Sequence, residues 1–196
     1  HTAPSAPIVA GGSLSWLNLA LVSVTAGASI DTGGSGLDHY RFETSTNGGG
    51  SWSAATTGLQ ADVSAEGETL VRFDAVDAAG NASAWVQDTV RIDTTPPTDP
   101  SVSGGSSAWK NVASVTASAA GSTDTPGSGI AGYEYETSTD GGTVWSLPAA
   151  GASLGVTDEG ETLVRFRAVD AAGFTSGWKQ ATVRIDVVPT PESARD

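Results

Sequence analysis

Six acidic residues are the groups in this sequence whose type and position could do chemistry. The sequence has no cysteine and two histidines, so a thiolate metal site lacks its ligands. No nucleophile stands together with a base and an orienting group either. Carboxylates remain, and calcium takes about six to eight oxygen ligands in proteins. The candidates for such a calcium site are Asp93, Asp99, Asp124, Asp170, Glu66 and Glu68.

A long repeat shows which elements must position these acids. Residues 68–80 read ETLVRFDAVDAAG, and residues 161–173 read ETLVRFRAVDAAG, 93 positions further on. At this offset, residues 10–93 align with residues 103–186 without a gap and are identical at 47 of 84 positions. Solenoid repeats have periods of about 20 to 50 residues, so a repeat of this length is a copied domain.

The domain boundaries follow from the repeat. The stretch DTTPPTDP between the copies contains three prolines and neither a helical nor a strand period, which predicts a short semi-rigid spacer. We predict copy 1 at 1–93, a proline-rich linker at 94–99, copy 2 at 100–186, and a tail or next linker at 187–196.

Period-two alternation predicts strands in both copies. In LVRFDAV, the residues Val71, Phe73 and Ala75 point to one side, while Arg72 and Asp74 point to the other. Turn sequences such as NGGG, DGG and DAAG separate these stretches. The predicted strands of copy 1 are 7–10, 18–26, 38–46, 51–55, 58–64, 69–76 and 84–93. About seven short strands per copy predict an all-β chain of two immunoglobulin-like or fibronectin III-like β-sandwich domains.

This topology predicts where the acids meet. In a seven-strand sandwich, the loops after the second and sixth strands lie at the end where the chain enters. In copy 2 these loops carry Asp124 and Asp170, and the linker brings Asp93 and Asp99 past them. Glu66 and Glu68 would lie at the facing end of copy 1, so that the site would resemble the calcium junctions of cadherins. The alternative is that each aspartate only stabilises its own turn.

Two motifs and one histidine could suggest an enzyme, but each has a simpler structural interpretation. STDGGTVW at 138–145, and STNGGGSW at 45–52 with Asn for Asp, resemble the Asp-box of sialidase propellers. A propeller needs at least about four blades, so we interpret both as hairpin turns. His39 is the one histidine inside the repeat, and its counterpart is Gly132. We predict that the chain is not an enzyme.

The six tryptophans form three pairs at matching positions, which favours a structural role in the core or over a strand edge. A sugar-stacking platform is the alternative, because exposed aromatic residues often mark binding surfaces. The pairs are Trp16 with Trp109, Trp52 with Trp145, and Trp85 with Trp178.

The charge excludes two classes of partner. The chain carries a net charge of -13, of which -7 falls before residue 96 and -6 after it. Both halves therefore repel phosphate backbones and anionic lipid, so that we expect neither nucleic acid nor a membrane as a partner. Residues 1–12 lack the features of a signal peptide, and we expect the sequence to be part of a longer, exported protein.

The motifs DTTPP, YEYETSTDGG, EGETLVRFRAVDAAG and VRID resemble the bacterial Ig-like repeats that occur in tandem in secreted and surface-anchored proteins. The resemblance spans nearly the whole chain. It implies an extracellular or cell-surface location and a role as a stalk, spacer or adhesin module. The acids near the junction separately predict that calcium stiffens the pair where the domains join. The expected partners are neighbouring repeats, and the chain is expected to be monomeric. The alternative is a carbohydrate- or adhesin-type ligand-binding module accessory to a secreted enzyme.

Overall fold

The computed structural model describes residues 2–187, and these form strands without any helix. The prediction of an all-β chain is confirmed. Positions 188–196 of the predicted tail lie outside the described residues. By their internal contacts, residues up to Thr95 form one unit together with Pro126–Ser128, and Pro96–Thr125 form a second with the chain from Gly129 onward. No described segment is a helix long and apolar enough to cross a membrane.

The first unit contains two antiparallel sheets. Its strands are β1 (Ile8–Ala10), β2 (Val22–Gly27), β3 (Leu37–Ser45), β4 (Thr56–Thr57), β5 (Gln60–Val63), β6 (Gly67–Asp77) and β7 (Val86–Ile92). One sheet has the order β1-β2-β5, and the other has the order β4-β3-β6-β7. Consecutive strands β5 and β6 therefore lie in different sheets, so that the chain crosses from one layer to the other.

The second unit repeats this arrangement. Its strands are β8 (Ser101–Ser103), β9 (Val115–Ala120), β10 (Ile130–Ser138), β11 (Ala149–Ala150), β12 (Ser153–Val156), β13 (Gly160–Asp170) and β14 (Lys179–Ile185). The sheets have the orders β8-β9-β12 and β11-β10-β13-β14, again antiparallel. Each strand of the first unit thus has its counterpart 93 residues later.

The core of the first unit lies between its two sheets. Val24 and Ala61 come from the three-stranded sheet, and Val71, Phe73 and Val90 come from the four-stranded sheet; all five are fully buried. Val71, Phe73 and Ala75 of LVRFDAV therefore face the core, as the alternation predicted. Burial of a side chain such as Phe73 contributes about 1.5–3 kcal/mol, which makes this shared core the main term that holds the two layers together.

One predicted strand is wrong. Residues 51–55 form no strand, and the short edge strand is Thr56–Thr57 instead. The side chain of Asn47 accepts a hydrogen bond from Ser51 N at 2.9 Å and so extends the turn. Beyond that turn, the backbone of Ser53 still donates one hydrogen bond to β3. The one large apolar residue at 51–55 is Trp52, and its side chain lies on the outer face of the sheet, against Arg72.

The outer edge of β7 is covered by the chain that leaves the other sheet. Ser13 N donates to Thr89 O at 2.7 Å, and Leu17 N donates to Arg91 O at 2.9 Å. Leu17 and Ile92 form a parallel bridge. The unpaired edge that would otherwise be open to another chain is thus satisfied from within the unit.

A single backbone position distinguishes the two copies in strain. Ala28, just after β2, has φ of 62°, and its counterpart Gly121 has φ of 81°. Alanine in this left-handed region costs roughly 1 kcal/mol, whereas glycine adopts it freely. The same turn is held in both copies by a tyrosine hydroxyl, which accepts a hydrogen bond from Ser29 N in one and Ser122 N in the other.

We therefore expect Ala28→Gly to raise the free energy of unfolding of the first unit by up to about 1 kcal/mol. Gly121→Ala should lower that of the second unit by a similar amount, since it introduces the same strain. Urea unfolding of both variants measures the two changes. Equal effects of the two substitutions, in the same direction, would contradict this account.

Candidate metal site

Asp170 and Asp124 are buried acids held in loops of the second unit. Asp170 ends β13, and its Oδ1 accepts hydrogen bonds from Ala172 N at 2.9 Å and from Phe174 N at 2.8 Å. Asp124 Oδ2 accepts a hydrogen bond from Gly129 N at 2.8 Å, which closes the glycine-rich loop before β10. The exposed fractions of these two residues are 2% and 8%. Each side chain is therefore fixed by its own loop.

Asp93 follows β7 directly and is fully buried. Its Oδ1 accepts a hydrogen bond from Thr95 N at 3.2 Å, and its Oδ2 accepts one from Ser128 N at 2.9 Å. Within the second unit, one carboxylate oxygen of Asp124 and one of Asp170 lie within 4.8 Å of each other. Asp124 and Asp170 could therefore share a metal ion.

The electrostatics of this group favour a cation. A carboxylate that leaves water loses hydration free energy, and neighbouring carboxylates repel one another when ionised. In addition, Asp170 Oδ2 is buried and accepts no hydrogen bond from the residues that the structure describes. All ligand atoms on offer are carboxylate oxygens, which suit calcium or magnesium rather than zinc or copper.

The other three predicted ligands have different partners. Glu66 accepts hydrogen bonds from Thr94 and Thr95 in the segment after β7, with Thr94 N at 3.0 Å. Glu68 pairs with Arg91 across β6 and β7 at 2.8 Å. Asp99 pairs with Lys179 at 3.0 Å, and this ammonium group holds the pKa of Asp99 below its ordinary value. Within the second unit, the structure therefore brings Asp124 and Asp170 together, whereas each of the other four predicted acids has local partners.

The equivalent loops of the first unit satisfy their acid differently. Asp77 Oδ1 accepts hydrogen bonds from Ala79 N and Asn81 N, as Asp170 Oδ1 does from its own turn. Asp77 Oδ2 also has a donor, Asn81 Nδ2 at 2.8 Å. The Asn81 amide lowers the pKa of Asp77. Asn81 aligns with Phe174, and this mismatch in the repeat is the sequence signal that was missed.

Both Asp-box motifs form turns. Asp140 Oδ1 accepts hydrogen bonds from Ser138 Oγ at 2.7 Å and from Val144 N at 3.0 Å, and these bonds lower the pKa of Asp140, that from Val144 most. Asn47 makes the corresponding bonds in the first unit. These contacts support the interpretation of the motif as a hairpin turn.

Four tryptophans lie on the outer face of the four-stranded sheets and not in the core. Arg72 lies between the rings of Trp52 and Trp85, at 3.9 and 4.7 Å from their centroids. The second unit repeats this contact around Arg165, with Trp145 at 4.0 Å and Trp178 at 4.7 Å. Such cation–π contacts contribute about 0.5–2 kcal/mol each. These rings are engaged by arginine, whereas Trp109 is 58% exposed.

The two copies exchange the charges of one neighbouring ion pair. In the first unit, Arg41 Nε lies 3.0 Å from the buried carboxylate of Asp74. At the matching positions the second unit has Glu134 and Arg167, 2.9 Å apart. Both pairs join the same two strands in the same register, β3 with β6 and β10 with β13. The cross-strand attraction is therefore kept although both charges are reversed.

We expect Arg41→Ala to lower the free energy of unfolding by about 2 kcal/mol, because Asp74 stays buried without its partner while Arg41 itself is partly exposed. Arg41→Glu should be worse, since it places like charges opposite each other. The double variant Arg41→Glu with Asp74→Arg should recover most of the loss by adopting the arrangement of the second unit. A double-mutant cycle in urea measures this coupling, and simple additivity would contradict it.

A comparison with protein-family models and with curated proteins finds no match for this chain. The repeat and the contacts described above therefore carry the argument about function.

Proposed function

We propose that this chain is a non-enzymatic structural module, made of tandem Ig-like β-sandwich domains that act as a stalk or spacer in a bacterial surface or secreted protein. The observation that carries this proposal is the duplication of a whole two-sheet unit together with its core, turns and outer-face contacts. A chain that repeats its fold without repeating a set of reactive groups is suited to setting a distance. Its acidic composition supports solubility outside the cell.

We further propose that the second unit binds calcium through Asp124 and Asp170. Each of the two carboxylates offers one oxygen, and the backbone hydrogen bonds to both side chains fix their directions before any ion binds. A preorganised oxygen site loses little conformational entropy on binding. The unsatisfied Oδ2 of Asp170 supports this assignment more than the number of acids does, because exposed acids without a cation are common.

The tryptophan contacts support a structural role over a sugar-binding one. A sugar-stacking platform needs open aromatic faces, but Arg72 and Arg165 each cover two rings. Trp109 is the most exposed of the six and is the residue at which a carbohydrate role would be tested. If a glycan bound to the chain and Trp109→Ala abolished that binding, the result would contradict a purely structural role.

Calcium should raise the melting temperature of the second unit. At a calcium concentration 100 times the Kd, the free energy of unfolding should increase by about 2.7 kcal/mol relative to a sample in chelator. Scanning calorimetry of the whole chain, with calcium and with EGTA, measures the change. Isothermal titration with calcium gives the Kd independently.

Asp170→Asn separates binding from simple stability. This variant should lose the calcium-dependent increase, and in EGTA it should be at least as stable as the native chain because one buried charge is removed. The matched control is Asp77→Asn in the first unit, which should leave the calcium response unchanged. Identical calorimetric curves with calcium and EGTA for the native chain would refute the calcium proposal.

A further inference from the structure

We infer that the residue four positions after the last aspartate of each long strand decides whether that copy of the domain takes a cation. In the first unit this residue is Asn81, which supplies an amide to the buried acid, and in the second unit it is Phe174, which supplies none. The inference rests on the proposed calcium site and states which copy uses it and why.

The two turns are otherwise alike, so the comparison isolates one side chain. Asp77 and Asp170 are each 2% exposed and end strands of the same length. In both, Oδ1 accepts two backbone hydrogen bonds, of 2.9 and 2.8 Å, from the residues two and four positions further on. The sequence DAAG is the same in both turns. The backbone therefore treats the two carboxylates equally.

The difference is confined to the second carboxylate oxygen. In the first unit Asn81 Nδ2 donates to Asp77 Oδ2 at 2.8 Å. In the second unit the phenyl ring of Phe174 has no donor, and Asp170 Oδ2 stays buried without a hydrogen bond from any residue between 2 and 187. A buried acceptor without a partner is costly, and the cost is larger for a charged group. A cation bound to this oxygen removes that cost.

Each unit also has a second aspartate, in the loop before its third strand. Asp31 and Asp124 hold their loops through equivalent hydrogen bonds to Gly36 N and Gly129 N, both 2.8 Å long. Both copies therefore have the loop aspartate and the turn aspartate, and the number of acids does not distinguish them. Asp31 Oδ1 is itself buried without a hydrogen-bond partner in the described part of the chain. The difference between the copies therefore lies at the turn aspartate, where only Asp77 has an internal amide. An acid already satisfied by an amide gains less from a cation, because the ion would have to displace or compete with that hydrogen bond.

The test is Phe174→Asn, with Phe174→Leu as the matched control. Both variants remove the aromatic ring, but only asparagine restores the amide found in the first unit. Phe174→Asn should be more stable in EGTA than Phe174→Leu and should bind calcium at least tenfold more weakly than the native chain. Phe174→Leu should retain the native calcium affinity within about threefold. Calorimetry in EGTA and isothermal titration with calcium chloride give the two readouts.

The reciprocal variant Asn81→Leu tests the first unit without relying on calcium. It removes the amide from Asp77 and should lower the melting temperature of that unit in EGTA. The control is Asn18→Leu, on the loop before β2, which should leave that melting temperature unchanged.

The two proposals fail in different ways. If the native chain does not bind calcium, the calcium proposal fails, yet the higher stability of Phe174→Asn over Phe174→Leu in EGTA would still show that the amide satisfies Asp170. If calcium binds the native chain and Phe174→Asn equally well, and the two position-174 variants are equally stable in EGTA, the inference about this position is overturned while the calcium site stands.

Discussion

Each carboxylate that this fold removes from water must find a compensating partner, and the local structure depends on how that is done. Asp74 is compensated by the guanidinium of Arg41 across two strands. Asp77 is compensated by backbone amides and by the side chain of Asn81. Asp170 has the backbone amides but no partner for its second oxygen among the described residues. Asp31 Oδ1 in the first unit is also buried without a hydrogen-bond partner among residues 2–187, but Asp170 is the turn aspartate that lacks a side-chain amide, and the proposed cation is assigned to it.

Because the domain is duplicated, the two copies can be compared with each other position by position. Where the two copies agree, as in the apolar faces of β6 and β13, the residues serve the core and the same contacts recur. Two of the differences concern the partners of buried carboxylates. The reversal of Arg41 and Asp74 to Glu134 and Arg167 is compensated, because attraction does not depend on which strand carries the positive charge. The change from Asn81 to Phe174 has no such compensation.

The outer face of the four-stranded sheet is more than a solvated surface. Arg72 is stacked on two tryptophan rings and also donates to Glu43 at 2.8 Å, so that a charged residue contributes both packing and hydrogen bonding. Such stacks cover the sheet on the side that the core does not protect. They also explain why the tryptophans are duplicated with the fold although they lie outside the core.

The strand pattern was largely predictable, and its one failure is instructive. Alternation along 68–77 identified the faces of β6 correctly, since side chains in an extended strand alternate by geometry. The predicted strand at 51–55 failed because the Asn47 side chain lengthens the turn and Trp52 is used on the outer face. A single apolar residue next to a turn is not part of an alternating pattern, so the sequence does not indicate which face of the sheet its side chain occupies.

By itself, the sequence determined the duplication, the all-β character, the turns and the set of acidic residues, because these depend on local periodicity and residue type. Only the tertiary structure decided which acids meet and which are satisfied elsewhere. Glu68 is a candidate ligand by type, yet the register of β6 with β7 places it opposite Arg91. Asp170 looks the same as Asp77 in sequence, yet it differs in the partner of one oxygen atom. The mismatch of Asn81 with Phe174 is visible in the sequence, but only the structure shows that the Asn81 amide reaches Asp77 Oδ2.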